Sequence, residues 1–163
     1  MNRVEMMDAL TGFNAALKAG TIAVQPTRSD PKVFLHADTP DGTQRLSFVR
    51  MKGAHATAIA VIVVAEPLDG LPVIHIGCAV REDQRGKGLG RHVLTVALED
   101  FQTNMGAKGL TDYWIESVVE ADNHASAAMT TKVLGIEPED VTDDATGEAS
   151  LRFLKRISPD DQK

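Results

Sequence analysis

Six residues constrain this chain more than any others: Arg85-Gly86-Lys87-Gly88-Leu89-Gly90. They join an apolar strand-like run at residues 73–80 (VIHIGCAV) to a helical stripe of Leu94, Leu98, Phe101 and Met105 that Gly106 ends. Three glycines in such a connection let the backbone turn sharply with its amides bare, because no Cβ blocks an approaching ligand. Those amides, the positive end of the following helix and the cations of Arg85 and Lys87 together make an anion site, with phosphate or pyrophosphate the natural occupant.

Two nucleotide-binding patterns fail residue by residue. A P-loop needs Gly-x-x-x-x-Gly-Lys-Ser/Thr, but Arg81 stands at the first glycine and Gly88 at the hydroxyl position. The dinucleotide fingerprint Gly-x-Gly-x-x-Gly meets Arg91 when counted from Gly86 and Val93 when counted from Gly88.

The rest of the chain alternates helix and strand signals. Met6, Leu10, Phe13 and Leu17 predict an amphipathic helix over residues 4–18, stopped by Gly20. A short strand is expected at 21–25, ended by Pro26. Strands at 33–37 and 46–51 flank the turn Pro40-Asp41-Gly42. Residues 57–65 (TAIAVIVVA) are apolar on both faces, the mark of a central strand. Residues 66–72 break the chain before the strand at 73–80. Further strands are expected at 112–119 and 149–157, with a helix from the Asp122-Asn123 cap to Gly135 between them. The acidic stretch 137–148 reads as loop or weak strand, and residues 158–163 as a frayed tail. With no repeat or linker in view, this is a single α/β (α+β) domain with a mixed sheet.

Composition narrows the function. The net charge of −6 disfavours nucleic acid, whose phosphates need clustered Lys and Arg; it suits ordinary solubility first and, weakly, a cationic acceptor such as an amine. One cysteine, Cys78, allows no internal disulfide. The N-terminus lacks the form of a signal peptide, and no apolar run is long enough for a membrane span. A cytoplasmic protein is the expectation. His55 and His124 have no metal-ligand spacing, and no metal site is expected.

The glycine segment resembles the acetyl-CoA motif of the GNAT N-acetyltransferase family, whose core is Gln/Arg-x-x-Gly-x-Gly/Ala. Arg85, Gly88 and Gly90 fill it, and Gly86 and Leu89 match the common Arg-Gly-x-Gly-Leu-Gly form. Val80 matches the valine that ends the preceding strand in the family, while Glu82 stands where proline is frequent. Asn123 to Gly135-Ile136 is the counterpart of a second signature, an Asn opening a helix that ends in Gly-Phe. The resemblance covers residues 57–157. The family also opens with a strand before its first helix, whereas this chain starts with the helix.

The resemblance implies a GNAT-like domain over residues 1–157, with a mostly antiparallel sheet splayed at the acyl-CoA site and flanked by helices. It implies an N-acetyltransferase in which an amine attacks acetyl-CoA directly; a non-catalytic acyl-CoA module is the alternative. The backbone of Cys78 and Val80 would hold the pantetheine. Residues Gly86, Gly88, Leu89 and Gly90, aided by Arg85, Lys87 and Arg91, would hold the pyrophosphate, with Asn123 beside the thioester. The acceptor would be a small molecule or a protein amine, and a homodimer is compatible with the family.

Catalytic groups are less defined. The tyrosine that many relatives place in the second helix is replaced by Thr130 or Thr131, depending on the end from which one counts. The base position of one branch is Ile74; its neighbour His75 has an imidazole suited to deprotonating an ammonium, or is simply a hydrogen-bonded sheet residue. Glu66 and Glu116 are carboxylate alternatives, and a base acting through water is another. Cys78 reads as a small buried thiol rather than an acyl carrier, and Trp114 as core or as a wall of the acceptor groove.

Overall fold

The computed structural model describes residues 6–162. Helix α1 (Met6–Ala19) buries Leu10 and Phe13, as the stripe over residues 4–18 predicts; residues 4 and 5 lie outside the described ones. Gly20, at φ 71°, ends it in a Schellman motif: its amide donates to the Leu17 carbonyl and that of Thr21 to the Ala16 carbonyl, both at 3.1 Å. The Thr21 hydroxyl donates to the same Ala16 oxygen at 3.2 Å. Because Thr21 is held in the cap, the strand expected over residues 21–25 shrinks to β1 (Gln25–Pro26).

Strands β2 (Val33–Asp38), β3 (Arg45–Lys52), β4 (His55–Leu68) and β5 (Leu71–Val80) form an antiparallel meander. Helix α2 (Leu89–Ala107) then crosses to β6 (Tyr113–Glu120), and α3 (His124–Leu134) leads to the edge hairpin β7 (Glu139–Thr142) and β8 (Ala149–Ile157). The sheet order is β1-β2-β3-β4-β5-β6-β8-β7, antiparallel everywhere except between β5 and β6. Residues 159–162 make one 3-10 turn. Among the described residues no helix is long and apolar enough to cross a membrane.

The break expected at 66–72 is only a two-residue turn. Asp69 and Gly70 both have positive φ (51° and 76°), the type I′ geometry that suits a twisted hairpin. Both strands run into the flanking prolines, with Pro67 inside the irregular pairing between Ala65 and Leu68. The acidic stretch ends in order too: the buried Asp143 carboxylate accepts the amides of Ala145 (2.8 Å) and Thr146 (3.2 Å), fixing the β7–β8 turn.

Helices cover both faces of the sheet. Ile59, Val61 and Ala79 pack against Leu10 and Phe13 of α1. Ala58, Ala60, Ile62, Ile74 and Ile76 pack against Val93, Leu94, Ala97 and Phe101 of α2 on the other face. Strand β4 is therefore buried on both sides, as its unbroken apolar run predicts.

One joint in the sheet is incomplete. Strands β5 and β6 pair only where Val73, Ile74 and His75 meet Trp114, Ile115 and Glu116. Beyond that rung β5 continues to Val80 and β6 to Glu120 without pairing, so the sheet forks between them.

Candidate active site

The glycine turn stands at the open end of the fork. Gly86 and Gly88 have φ 79° and 75°, a region L side chains rarely adopt, and a Cβ on either would point into open space. The amides of Leu89, Gly90 and Arg91, in the first turn of α2, have no intrahelical acceptor and face the same opening with the positive end of the helix. Gly90 is needed for a different reason: its Cβ would stand 3.2 Å from both Met129 Sδ and Val80 Cγ2. It lets α2 start close against β5 and α3. The Arg85 Nε donates to the Val80 carbonyl at 3.2 Å, tying the turn to the strand end.

Strand β5 presents its backbone to the fork by alternation. The Arg81 amide donates to the Thr57 carbonyl at 2.8 Å, so the 57/81 pair is hydrogen-bonded. In an antiparallel ladder the bonded pairs recur every second residue, here Ala79, Gly77 and His75 against β4. The Cys78 amide and carbonyl and the Val80 amide therefore point the other way, across the fork, where an extended ligand backbone could take them; the Ile76 amide is spent on β6 and the Val80 carbonyl on Arg85.

Two joined cavities occupy this space. The outer one, about 470 Å³, is lined by Arg85, Gly86, Gly88, Leu89, Gly90 and Arg91 together with Val80 and Ala125. The inner one, about 110 Å³, lies between the diverging strands. They share Met6, Cys78, Asn123, Ser126 and Met129. The inner cavity draws on both faces of the sheet: Gly77, Val118 and Glu120 from the α1 side, Leu94, Met129 and Thr130 from the other. It is a slot through the sheet.

At the closed end of the fork lies a chain of polar side chains. His75 is 8% exposed, and its Nδ1 is 3.2 Å from Glu116 Oε1. Arg152 of β8 donates to Glu116 Oε2 from Nε (2.8 Å), pairs with the same oxygen through a terminal nitrogen 2.7 Å away, and reaches Glu139 of β7 at 3.3 Å. The hydrogen bond from His75, and then the Arg152 guanidinium, hold the Glu116 carboxyl down at about 2 against the opposing effect of burial. A carboxylate so held is a weak proton acceptor.

Other expected residues have definite places. The Thr130 hydroxyl is buried at the slot and donates to the Ser126 carbonyl at 2.7 Å. Asn123 caps α3 by accepting the Ser126 amide at 3.2 Å. Glu66, Thr131 and Lys87 line neither cavity: Glu66 is exposed near the end of β4, Thr131 gives its carbonyl to Gly135, and the Lys87 ammonium bonds Gln84 Oε1 at 3.2 Å. Burial pushes the Cys78 thiol up to about 12, which opposes a thiolate nucleophile. Tyr113 is buried against Phe101, with ring centres 5.4 Å apart, far from the role of an acid at the slot.

Sequence reasoning missed three participants. Glu120 lines the slot, and counting alternate residues on from Glu116 would have put it on the same face. Arg152 could be found only through pairing, because 36 positions separate it from Glu116. Met6 reaches the site from α1, and its sulfur would stand 2.9 Å from a Cβ on Gly77.

The comparisons with known proteins agree with this layout. The profile of the acetyltransferase (GNAT) family matches residues 18–136. A search of curated protein sequences gives no match. Among solved structures, the fold is similar to Mycobacterium smegmatis RimJ in complex with CoA-disulfide, at 18% identity and TM-score 0.54, over 95% of this chain and 80% of that one. It is similar to ribosomal-protein-alanine N-acetyltransferase from Brucella melitensis, at 16% and 0.53, over 94% of each chain. It is also similar to the ribosomal L7/L12 alpha-N-protein acetyltransferase RimL in complex with coenzyme A, at 13% and 0.52, where 72% of this chain spans 63% of the longer protein. At these identities the likeness is one of fold, whereas the profile spans most of the sequence: the chain belongs to the GNAT acetyltransferase family.

Proposed function

We propose that the chain is an N-acetyltransferase that passes the acetyl group of acetyl-CoA to a primary amine by direct attack, with both substrates bound together. The observation that carries this reading is the slot in the fork, which is lined from both faces of the sheet and shares five residues with the cavity at the glycine turn. A donor anchored at the turn and an acceptor arriving from the opposite face would meet inside it.

In this reading the first-turn amides of α2, with Arg85 and Arg91, take the pyrophosphate. The free edge of β5 at Cys78 and Val80 takes the pantetheine amides as a strand would. Holding both reactants in one slot replaces a bimolecular encounter with a positioned one, and excluding water strengthens each polar contact on the thioester carbonyl. Glu120 at the slot favours an acceptor carrying positive charge.

One observation favours a second reading, an acyl-CoA-binding module without turnover. The Thr130 hydroxyl proton is engaged by Ser126, and the only tyrosine is buried elsewhere, so no phenol is placed to protonate a departing thiolate.

Acetyl-CoA at one hundred times its dissociation constant should stabilise the fold by ~2.7 kcal/mol, and a panel of amines should then release free thiol above the rate of hydrolysis. No stabilisation sinks both readings. Stabilisation without amine-dependent thiol release leaves the binding module.

A further inference from the structure

Sequence alone makes His75 and Glu116 rival bases; the structure joins them. We infer that Arg152 and Glu116 act together to orient His75 as the general base of the transfer, an assignment that rests on the acetyl-transfer reading above.

The geometry supports a division of labour. Arg152 holds Glu116 Oε2 through its Nε–H and an ion pair and leaves Oε1 to His75 Nδ1. An ionised carboxylate can only accept, so the ring proton must sit on Nδ1. In the neutral ring the free lone pair is then on Nε2. Among the described residues Nε2 has no hydrogen-bond partner, on a side chain whose residue is 8% exposed. The next residue of β5 on the same face is Gly77, which lines the slot under the Met6 side chain, whose sulfur would stand 2.9 Å from a Cβ there. The imidazole lines neither cavity; it stands one step along the strand from the slot, and the proton passes between it and an amine through water.

The surroundings are simple. Across the rung β4 presents Val63, β6 presents Glu116, and behind it stand Arg152 of β8 and Glu139 of β7. The charges of α1 over this face, Asp8 and Lys18, are exposed.

The step balances without a co-reactant. One N–H proton of the acceptor ammonium passes to Nε2, giving an imidazolium whose charge faces Glu116. The freed amine lone pair forms the C–N bond at the thioester carbonyl, the C–S pair leaves on sulfur, and the second amine proton goes to that sulfur. The imidazolium then returns its proton to solvent. Glu116 and Arg152 touch no substrate and are positioning residues.

The test pairs imidazole nitrogen NMR on the intact protein with pH profiles of kcat/KM. Wild type should show the Nδ1–H tautomer at the alkaline end of the profile, and Glu116→Gln a mixture. His75→Gln should lose the acidic limb and lower kcat by about 100-fold, with the KM for acetyl-CoA unchanged within twofold. Arg152→Met, which leaves the Glu116 charge to the imidazolium alone, should move the limb to higher pH, and Arg152→Lys should reverse part of the shift. A purely structural role would move melting temperature and leave the limb in place. An Nε2–H tautomer in wild type overturns the proposal even if the variants fail to fold, and so does a His75→Gln enzyme that keeps both limb and kcat. Wild type that binds acetyl-CoA but turns over no amine refutes acetyl transfer itself, and the base role with it; the tautomer then reports on orientation alone.

Discussion

Strand β5 has two edges with opposite fates. Against β4 it is paired along nearly its whole length, between strands whose side chains are buried on both faces. Against β6 it is paired over three residues and then released. The first edge holds the molecule together; the second leaves backbone donors and acceptors for something other than protein. A fold that belongs to an acetyltransferase family thus makes its opening by stopping a ladder early. Nothing is carved out of the core.

Substitutions can pull the two edges apart. The largest effect should come from the paired one: Ile62→Ala, 2% exposed in the wild type, should cost ~2–5 kcal/mol in chemical denaturation. The stabilisation by acetyl-CoA should survive it; if ligand response and stability fall in step, the edges are not separable. At the boundary, Glu116 has a folded pKa of about 2, below its ordinary 4.5. Its contribution is therefore complete above about pH 4.5 and lost as pH falls toward 2. By that shift it amounts to about 3 kcal/mol, read as a stability gap between wild type and Glu116→Gln that closes on acidification. A gap independent of pH would mean that Arg152 and His75 do not hold the carboxylate.

On the open edge, Gly88→Glu should abolish the ~2.7 kcal/mol gained from acetyl-CoA at one hundred times its dissociation constant. Gly88→Asn, which tolerates positive φ, should retain most of it and so separates charge from backbone strain. Retention by the glutamate variant would put the ligand elsewhere. The smallest change is Asn123→Ala, which removes the α3 cap and should cost about 1 kcal/mol in thermal unfolding.

What the sequence made legible follows from how local each signal is. The Schellman end at Gly20, the cap at Asn123, the unbroken run of β4 and the glycine turn all depend on neighbours a few residues apart, and each is found as expected. The Asp69-Gly70 hairpin was equally local but lay between two prolines, which read as a longer break until the strands were seen to run through them. The closed end of the fork was not legible. His75 and Glu116 are 41 positions apart, and a search along the chain weighs them as competitors. Only strand pairing reveals that one holds the other. Glu66 and Glu116 look alike in sequence, yet one is solvated on a hairpin and the other locked between a guanidinium and an imidazole.

The alternation along β5 also makes that strand a recorder of occupancy. With deuterium in the solvent, the amides of Gly77 and Ala79, bonded to β4, should exchange at the pace of global opening. Those of Cys78 and Val80 should exchange far sooner, so protection rises and falls residue by residue along one strand. A bound pantetheine would flatten that sawtooth, and the flattening would report where the donor lies before any acceptor is known.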